Sequence, residues 1–110
     1  MERPVKGDVV VLDFPFSDLT QFKKRPALVI KVPKGEDVII CQITAKSQEK
    51  EVEIPLTKKD FAKGTLKMDS YLRVDKITTT KNTRINYKVG SLKVEKFKEI
   101  LDSIVSFLKE

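Results

Sequence analysis

The sequence predicts a small, mainly β (α+β) domain: five to seven short antiparallel strands forming a partly open barrel, with one C-terminal helix packed on it. Three observations predict it. Short β-branched and apolar runs recur along most of the chain, separated by Gly, Pro and Asp turn residues. Only the C-terminal stretch carries apolar residues at helical spacing. The 110 residues fit one compact domain over 1–110, a size at which one core forms without disulfides or metal.

Lys6-Gly7-Asp8 opens the first strand, Val9 to Phe14, and Pro15 ends it because proline has no N–H for a ladder. Phe16 to Lys24 reads as a polar loop with Ser17-Asp18 as turn chemistry. Pro26 stands at the start of the second strand, Ala27 to Val32. Pro33 to Asp37 is a turn, so this strand forms a hairpin with the third, Val38 to Ala45. Glu51 to Leu56 alternates polar and apolar residues, the pattern of a half-exposed strand. Thr57 to Asp60 has capping-box form, and Gly64 is placed to end that short helical turn. Ser70 to Val74 is a further strand, which Ile77 to Thr80 continue past Asp75-Lys76. Arg84 to Gly90 is a connector or short strand. Ser91 is a good N-cap for the last element. Val94, Phe97, Ile100, Leu101, Ile104, Val105 and Leu108 then fall on one face of a helix roughly 17 residues long. The sum is SH3-like in general shape.

A net charge of +6 and a pI near 9.4 favour an anionic partner, nucleic acid before membrane. Between residues 63 and 93, Lys63, Lys67, Arg73, Lys76, Lys81, Arg84, Lys88 and Lys93 face only Asp69 and Asp75. Eight bases against two acids account for the whole surplus of +6. The sequence contains no histidine. That excludes Ser-His-Asp hydrolysis, a two-histidine ribonuclease mechanism and histidine-based zinc sites. Cys41 is the single cysteine, so a tetrahedral N/S metal site and an internal disulfide are excluded as well. It sits in the apolar run Val38 to Cys41 and reads as a core hydrophobe. No apolar stretch follows the charged N-terminus, and no apolar run approaches ~18 residues. A cytoplasmic protein without membrane attachment is the expectation.

Four motifs now become informative together. They are Gly7-Asp8-Val9-Val10 with Asp13-Phe14-Pro15-Phe16, then Arg25-Pro26-Ala27-Leu28-Val29-Ile30, Gln42-Ile43-Thr44, and Arg73-Val74-Asp75-Lys76-Ile77. In this order and spacing, from Lys6 to the final helix, the sequence resembles the MazF/PemK family of toxin endoribonucleases. The resemblance implies an SH3-like barrel, a homodimer and cleavage of single-stranded RNA without a metal or other cofactor. It also implies a cognate antitoxin, acidic and partly disordered. The family's catalytic Arg and Thr correspond to Arg25 and Thr44, and the Arg-x-Asp pair of some members to Arg73 and Asp75. Lys23, Lys24, Lys46, Arg73 and Lys76 are the expected phosphate contacts. Lys76, Gln42 and Ala45 stand where the family usually has Gln, Pro and Ser, so its preferred RNA sequences do not carry over.

This chemistry suits these residue types. The 2′-hydroxyl of RNA attacks the adjacent phosphate, leaving a 2′,3′-cyclic phosphate and a 5′-hydroxyl. A guanidinium is permanently charged and grips two phosphate oxygens at once. A threonine hydroxyl adds a donor to the developing oxyanion. For the general base, Asp75 and Asp13 are the ordinary candidates near the motifs, and the resemblance favours Asp75. Asp75 also reads as a salt-bridge partner of Arg73 on the same strand face. From the residues alone, Arg25 is a basic residue before a strand and Thr44 an ordinary strand residue. Phe14, Phe16 and Phe22 flank the first loop, where one is able to stack on a base; Phe14 is expected in the core. The competing reading is a non-catalytic nucleic-acid binder, or a gyrase poison like the CcdB toxins, on the same barrel.

Overall fold

The computed structural model describes residues 3–15, 22–47 and 50–110. The expected Ser17-Asp18 turn and Phe16 lie outside them. Seven strands follow in order: β1 (Asp8–Pro15), β2 (Phe22–Lys31), β3 (Asp37–Thr44), β4 (Glu53–Leu56), β5 (Phe61–Gly64), β6 (Ser70–Lys81) and β7 (Ile85–Leu92). One helix, α1 (Val94–Lys109), closes the chain. The strands form one antiparallel sheet in the order β4-β6-β3-β2-β1-β7-β5. Its two edge strands, β4 and β5, are joined by the single 3-10 turn Lys58–Asp60. The sheet therefore curls until its edges are bridged, giving the expected partly open barrel.

The continuous apolar runs of β1 to β3 have a direct cause: both faces of these strands are buried. Val9, Leu28, Cys41, Ile43 and Leu72 pack with Phe97, Ile100 and Ile104 of α1 in one core. Val10, Leu12, Ala27, Val29, Val38, Ile40 and Ile85 form a second, with Phe14 against it as expected. Neighbouring residues alternate between the two cores, as the strand period of two requires.

Several boundaries differ from expectation. The second strand begins at Phe22, not Ala27: Phe22, Lys23 and Lys24 pair with Pro15, Phe14 and Asp13. The β2–β3 ladder starts only at Ala27↔Gln42. Residues 22–26 thus have one strand neighbour, which suits their polarity and tolerates Pro26 inside the strand. Glu51 and Val52 belong to a 3-10 turn, and strand pairing begins at Glu53↔Arg73. The capping box forms, with the Thr57 N–H donating to Asp60 Oδ2 at 2.8 Å. Its turn ends at Asp60, however, and Gly64 instead ends β5 at φ +62°. A Cβ there would lie 2.1 Å from Val89 O, so only glycine lets β5 approach β7 this closely. Ser91 pairs within β7 with Asp8 and Lys63, which leaves Lys93 as the N-cap of α1. The apolar face of α1 packs only in part. Phe97, Ile100 and Ile104 are buried, while Val94, Val105 and Leu108 are 68%, 49% and 67% exposed. Helical spacing identifies a face; the width of that face that meets the sheet is a tertiary property.

Candidate functional site

The site assembles where β2, β3 and β6 lose their regular pairing. Ala27, Leu28 and Val29 face Gln42, Cys41 and Ile40. The pairing stops at Ala27↔Gln42, two residues short of Arg25 and Thr44. Alternation gives Arg25 the face of Ala27 and Val29, and Thr44 the face of Ile40. Those three residues share the second core, so Arg25 and Thr44 project on the same side of the sheet.

Arg25 is half-buried and makes no hydrogen bond or ion pair with any described residue. A guanidinium held this way is available to an anion. The Thr44 hydroxyl is engaged only locally and weakly, accepting the Lys46 N–H at 3.3 Å and reaching Lys46 O at 3.4 Å.

Beside this pair the β3–β6 ladder breaks. Cys41↔Ile77 and Ile43↔Leu72 bracket the irregularity, so Gln42 alone faces the four residues Arg73, Val74, Asp75 and Lys76. Bulges of this kind redirect side chains. Val74 turns into the first core. Arg73 and Asp75 meet in a bidentate pair, with Nε to Oδ1 at 2.8 Å and Nη2 to Oδ2 at 2.7 Å. The expected salt bridge is therefore present. Hydrogen bonding from Arg73 holds the Asp75 carboxyl below its usual range, against a smaller opposing effect of burial. From inside the core, the Cys41 thiol donates to Arg73 O at 2.8 Å and braces the bulge. Burial, with Asp75 nearby, pushes that thiol up to about 12. Cys41 is a core residue, as its sequence context indicates.

These facts bear on proton transfer. Asp75 is ionised at neutral pH and both its oxygens are taken by Arg73. A carboxylate with a lowered pKa is a weak base. Its plainest contribution is to fix the Arg73 guanidinium. Asp13, the other candidate, lies on β1 opposite Lys24, with Asn86 Nδ2 at 3.5 Å.

Lys23, Lys24, Lys46 and Lys76 are exposed and form no ion pair with a described residue. Alternation places Lys23 on the side of Arg25 and Lys24 on the opposite side. Lys46 follows Thr44, and Lys76 closes the bulge. The structure also gathers residues that reading along the chain misses. Lys24, Pro26 and Ala45 share a groove with Leu66, Lys67, Tyr87 and Lys88. The only sequence signal for it is the charge surplus of residues 63–93. Among the described residues, no group of three or more Cys, Asp or Glu side chains is placed to hold a metal ion. No helix among them is long and apolar enough to cross a membrane.

Over residues 5–108 the sequence matches the family described as PemK-like, MazF-like toxin of type II toxin–antitoxin systems. The fold is similar to that of MazF from Deinococcus radiodurans, with a TM-score of 0.77 at 20% identity over 100% of both chains. A MazE–MazF structure from the same organism gives a TM-score of 0.76 at 18% identity, covering 98% of each chain. An endoribonuclease in complex with its cognate antitoxin, from a mycobacterial species, gives 0.76 at 15% identity, covering 96% of this chain and 95% of that one. No curated protein matches the sequence significantly.

Proposed function

Since the chain belongs to the PemK-like, MazF-like toxin family of type II toxin–antitoxin systems, we propose that it is a metal-independent endoribonuclease that cuts single-stranded RNA. The observation that carries this reading is Arg25: a half-buried guanidinium without a partner among the described residues, on the same side of the sheet as Thr44.

In the proposed reaction the 2′-oxygen forms a bond to the adjacent phosphorus and loses its proton. The bond from phosphorus to the 5′-oxygen breaks, and that oxygen takes up a proton. The products are a 2′,3′-cyclic phosphate and a 5′-hydroxyl. Arg25 holds two non-bridging oxygens as negative charge accumulates on them, and the Thr44 hydroxyl gives up its weak local contacts to donate a third hydrogen bond. Arg73, fixed by Asp75, adds a second guanidinium from the bulge. Asp75 accepts the 2′-hydroxyl proton directly or through water. Lys23, Lys24, Lys46 and Lys76 hold flanking phosphates. The protein works in the cytoplasm as a homodimer of single-domain chains, and an acidic, partly disordered antitoxin neutralises it.

One observation favours a second reading, a nucleic-acid binder without catalysis: the Asp75 carboxylate is committed to Arg73. Incubation with a long single-stranded RNA in EDTA separates the two. Discrete cuts bearing 2′,3′-cyclic phosphate ends support the ribonuclease. Salt-sensitive binding that leaves the RNA intact supports the binder.

A further inference from the structure

The groove that holds Lys24, Lys67 and Lys88 lies across β2 from Arg25. It measures about 540 Å³, within the range of roughly 300–1,000 Å³ that small-ligand sites occupy. Its apolar floor comes from Val11, Pro26, Leu66 and Val89. Tyr87 and Met68 stand at its rim, 48% and 62% exposed. Lys88 Nζ lies 3.2 Å from the buried Asp8 carboxylate, so its charge is partly matched. Lys24 and Lys67 have no ion-pair partner among the described residues. Gly64, whose backbone packs directly on Val89 and Gly90, anchors the segment that brings Lys67 and Met68 here.

The groove is connected to the proposed cutting site through its own walls. Lys24 and Pro26 flank Arg25 on β2, and Ala45 follows Thr44 on β3. Because the β2–β3 ladder begins only at Ala27↔Gln42, these two strand ends are not paired with each other. An RNA strand with one phosphate on Arg25 would have to cross this unpaired edge to reach the groove. We infer that the groove is a nucleotide subsite of the cutting site, in which the Tyr87 ring stacks on a base beyond the nucleotides that flank the scissile phosphate, while Lys24 and Lys67 hold the phosphates on either side of that base. An exposed aromatic ring between unpaired cations suits single-stranded RNA, since every base presents a π-face. An acidic peptide would match the lysines and leave the ring without a role.

The inference rests on the ribonuclease reading, and its test keeps the two separable. The probe is a short single-stranded RNA bearing 2′-O-methyl groups throughout, which cannot be cut by 2′-oxygen attack. Its affinity is measured by fluorescence anisotropy over a range of salt. Tyr87→Ala weakens binding roughly tenfold and leaves the salt dependence unchanged, whereas Tyr87→Phe binds like wild type. Lys67→Ala reduces the slope of log K against log salt by about 0.7. Wild-type affinity and slope in both Tyr87→Ala and Lys67→Ala overturn the inference. So does a loss confined to poly-glutamate binding, which assigns the groove to an acidic peptide. A wild type that binds the probe but leaves ordinary RNA intact refutes the ribonuclease reading instead.

Discussion

Gly64 and Gly35 offer a matched pair for testing how β5 is held. Both have positive φ, +62° and +93°, so an added Cβ strains the backbone at either place. Left-handed backbone costs a non-glycine residue about 1–2 kcal/mol. The surroundings differ completely. At Gly35 a Cβ meets nothing within 4 Å. At Gly64 it lies 2.1 Å from Val89 O and 2.8 Å from Gly90 Cα, both backbone atoms of β7. Neither atom moves without disturbing the Gly64↔Gly90 pairing. Overpacking of this kind adds about 1–3 kcal/mol. Gly35→Ala is therefore expected to cost about 1–2 kcal/mol and Gly64→Ala about 2–5 kcal/mol. At roughly 4–6 °C per kcal/mol for a chain of this length, the melting temperature of Gly64→Ala falls well below that of Gly35→Ala. Circular dichroism melts at one pH and protein concentration read the difference. Equal losses in the two variants would refute the argument, because they would leave only the conformational cost that both share.

The other predictions follow from the bulge and the helix. The Cys41 thiol, pushed up to about 12, stays unreactive to a thiol reagent at pH 8 in the folded protein and reacts once the protein is unfolded; rapid labelling of the native state would contradict its burial. Asp75→Asn lowers stability at neutral pH by at most about 1 kcal/mol, as for other partly exposed pairs. The Arg73 hydrogen bonds hold the folded carboxyl below the ordinary aspartate range, so its contribution is present above that range and is lost as pH falls through the lower folded pKa. Chemical denaturation curves of the two proteins should therefore converge in acid. Val105→Ser with Leu108→Ser, on the exposed side of α1, changes stability by no more than about 0.5 kcal/mol per site; a loss of several kcal/mol would show that this side packs against something.

What the sequence revealed depended on how local each feature is. β1 and β3 were legible from their apolar runs, α1 from its spacing, and the Thr57–Asp60 capping box from four residues. The Arg73–Asp75 pair was equally legible, since two residues on one strand share a face. The start of β2 was hidden because Phe22-Lys23-Lys24 pairs only with β1 and carries no apolar pattern. Ser91 looked like a cap because nothing nearby reveals its pairing with Asp8 and Lys63. The bulge opposite Gln42 was invisible for the same reason: it is a mismatch between two distant strands. At the site, Arg25 and Thr44 were found through the family resemblance, and the strand order that puts them on one side of neighbouring strands is a property of the sheet. The groove with Lys67, Tyr87 and Lys88 joins five separate stretches of chain, so in the sequence it showed only as excess charge.

Arg25 is the point at which the account is most exposed. The direct measurement is the single-turnover rate of cutting one RNA in EDTA by wild type, Arg25→Lys and Arg25→Ala, each confirmed folded by its melting curve. Arg25→Ala is expected to lose on the order of a hundredfold or more in rate, with Arg25→Lys recovering only part of it because an ammonium does not grip two oxygens in a fixed fork. Undiminished cutting by folded Arg25→Ala, or cutting by wild type that appears only with Mg²⁺, would contradict the account.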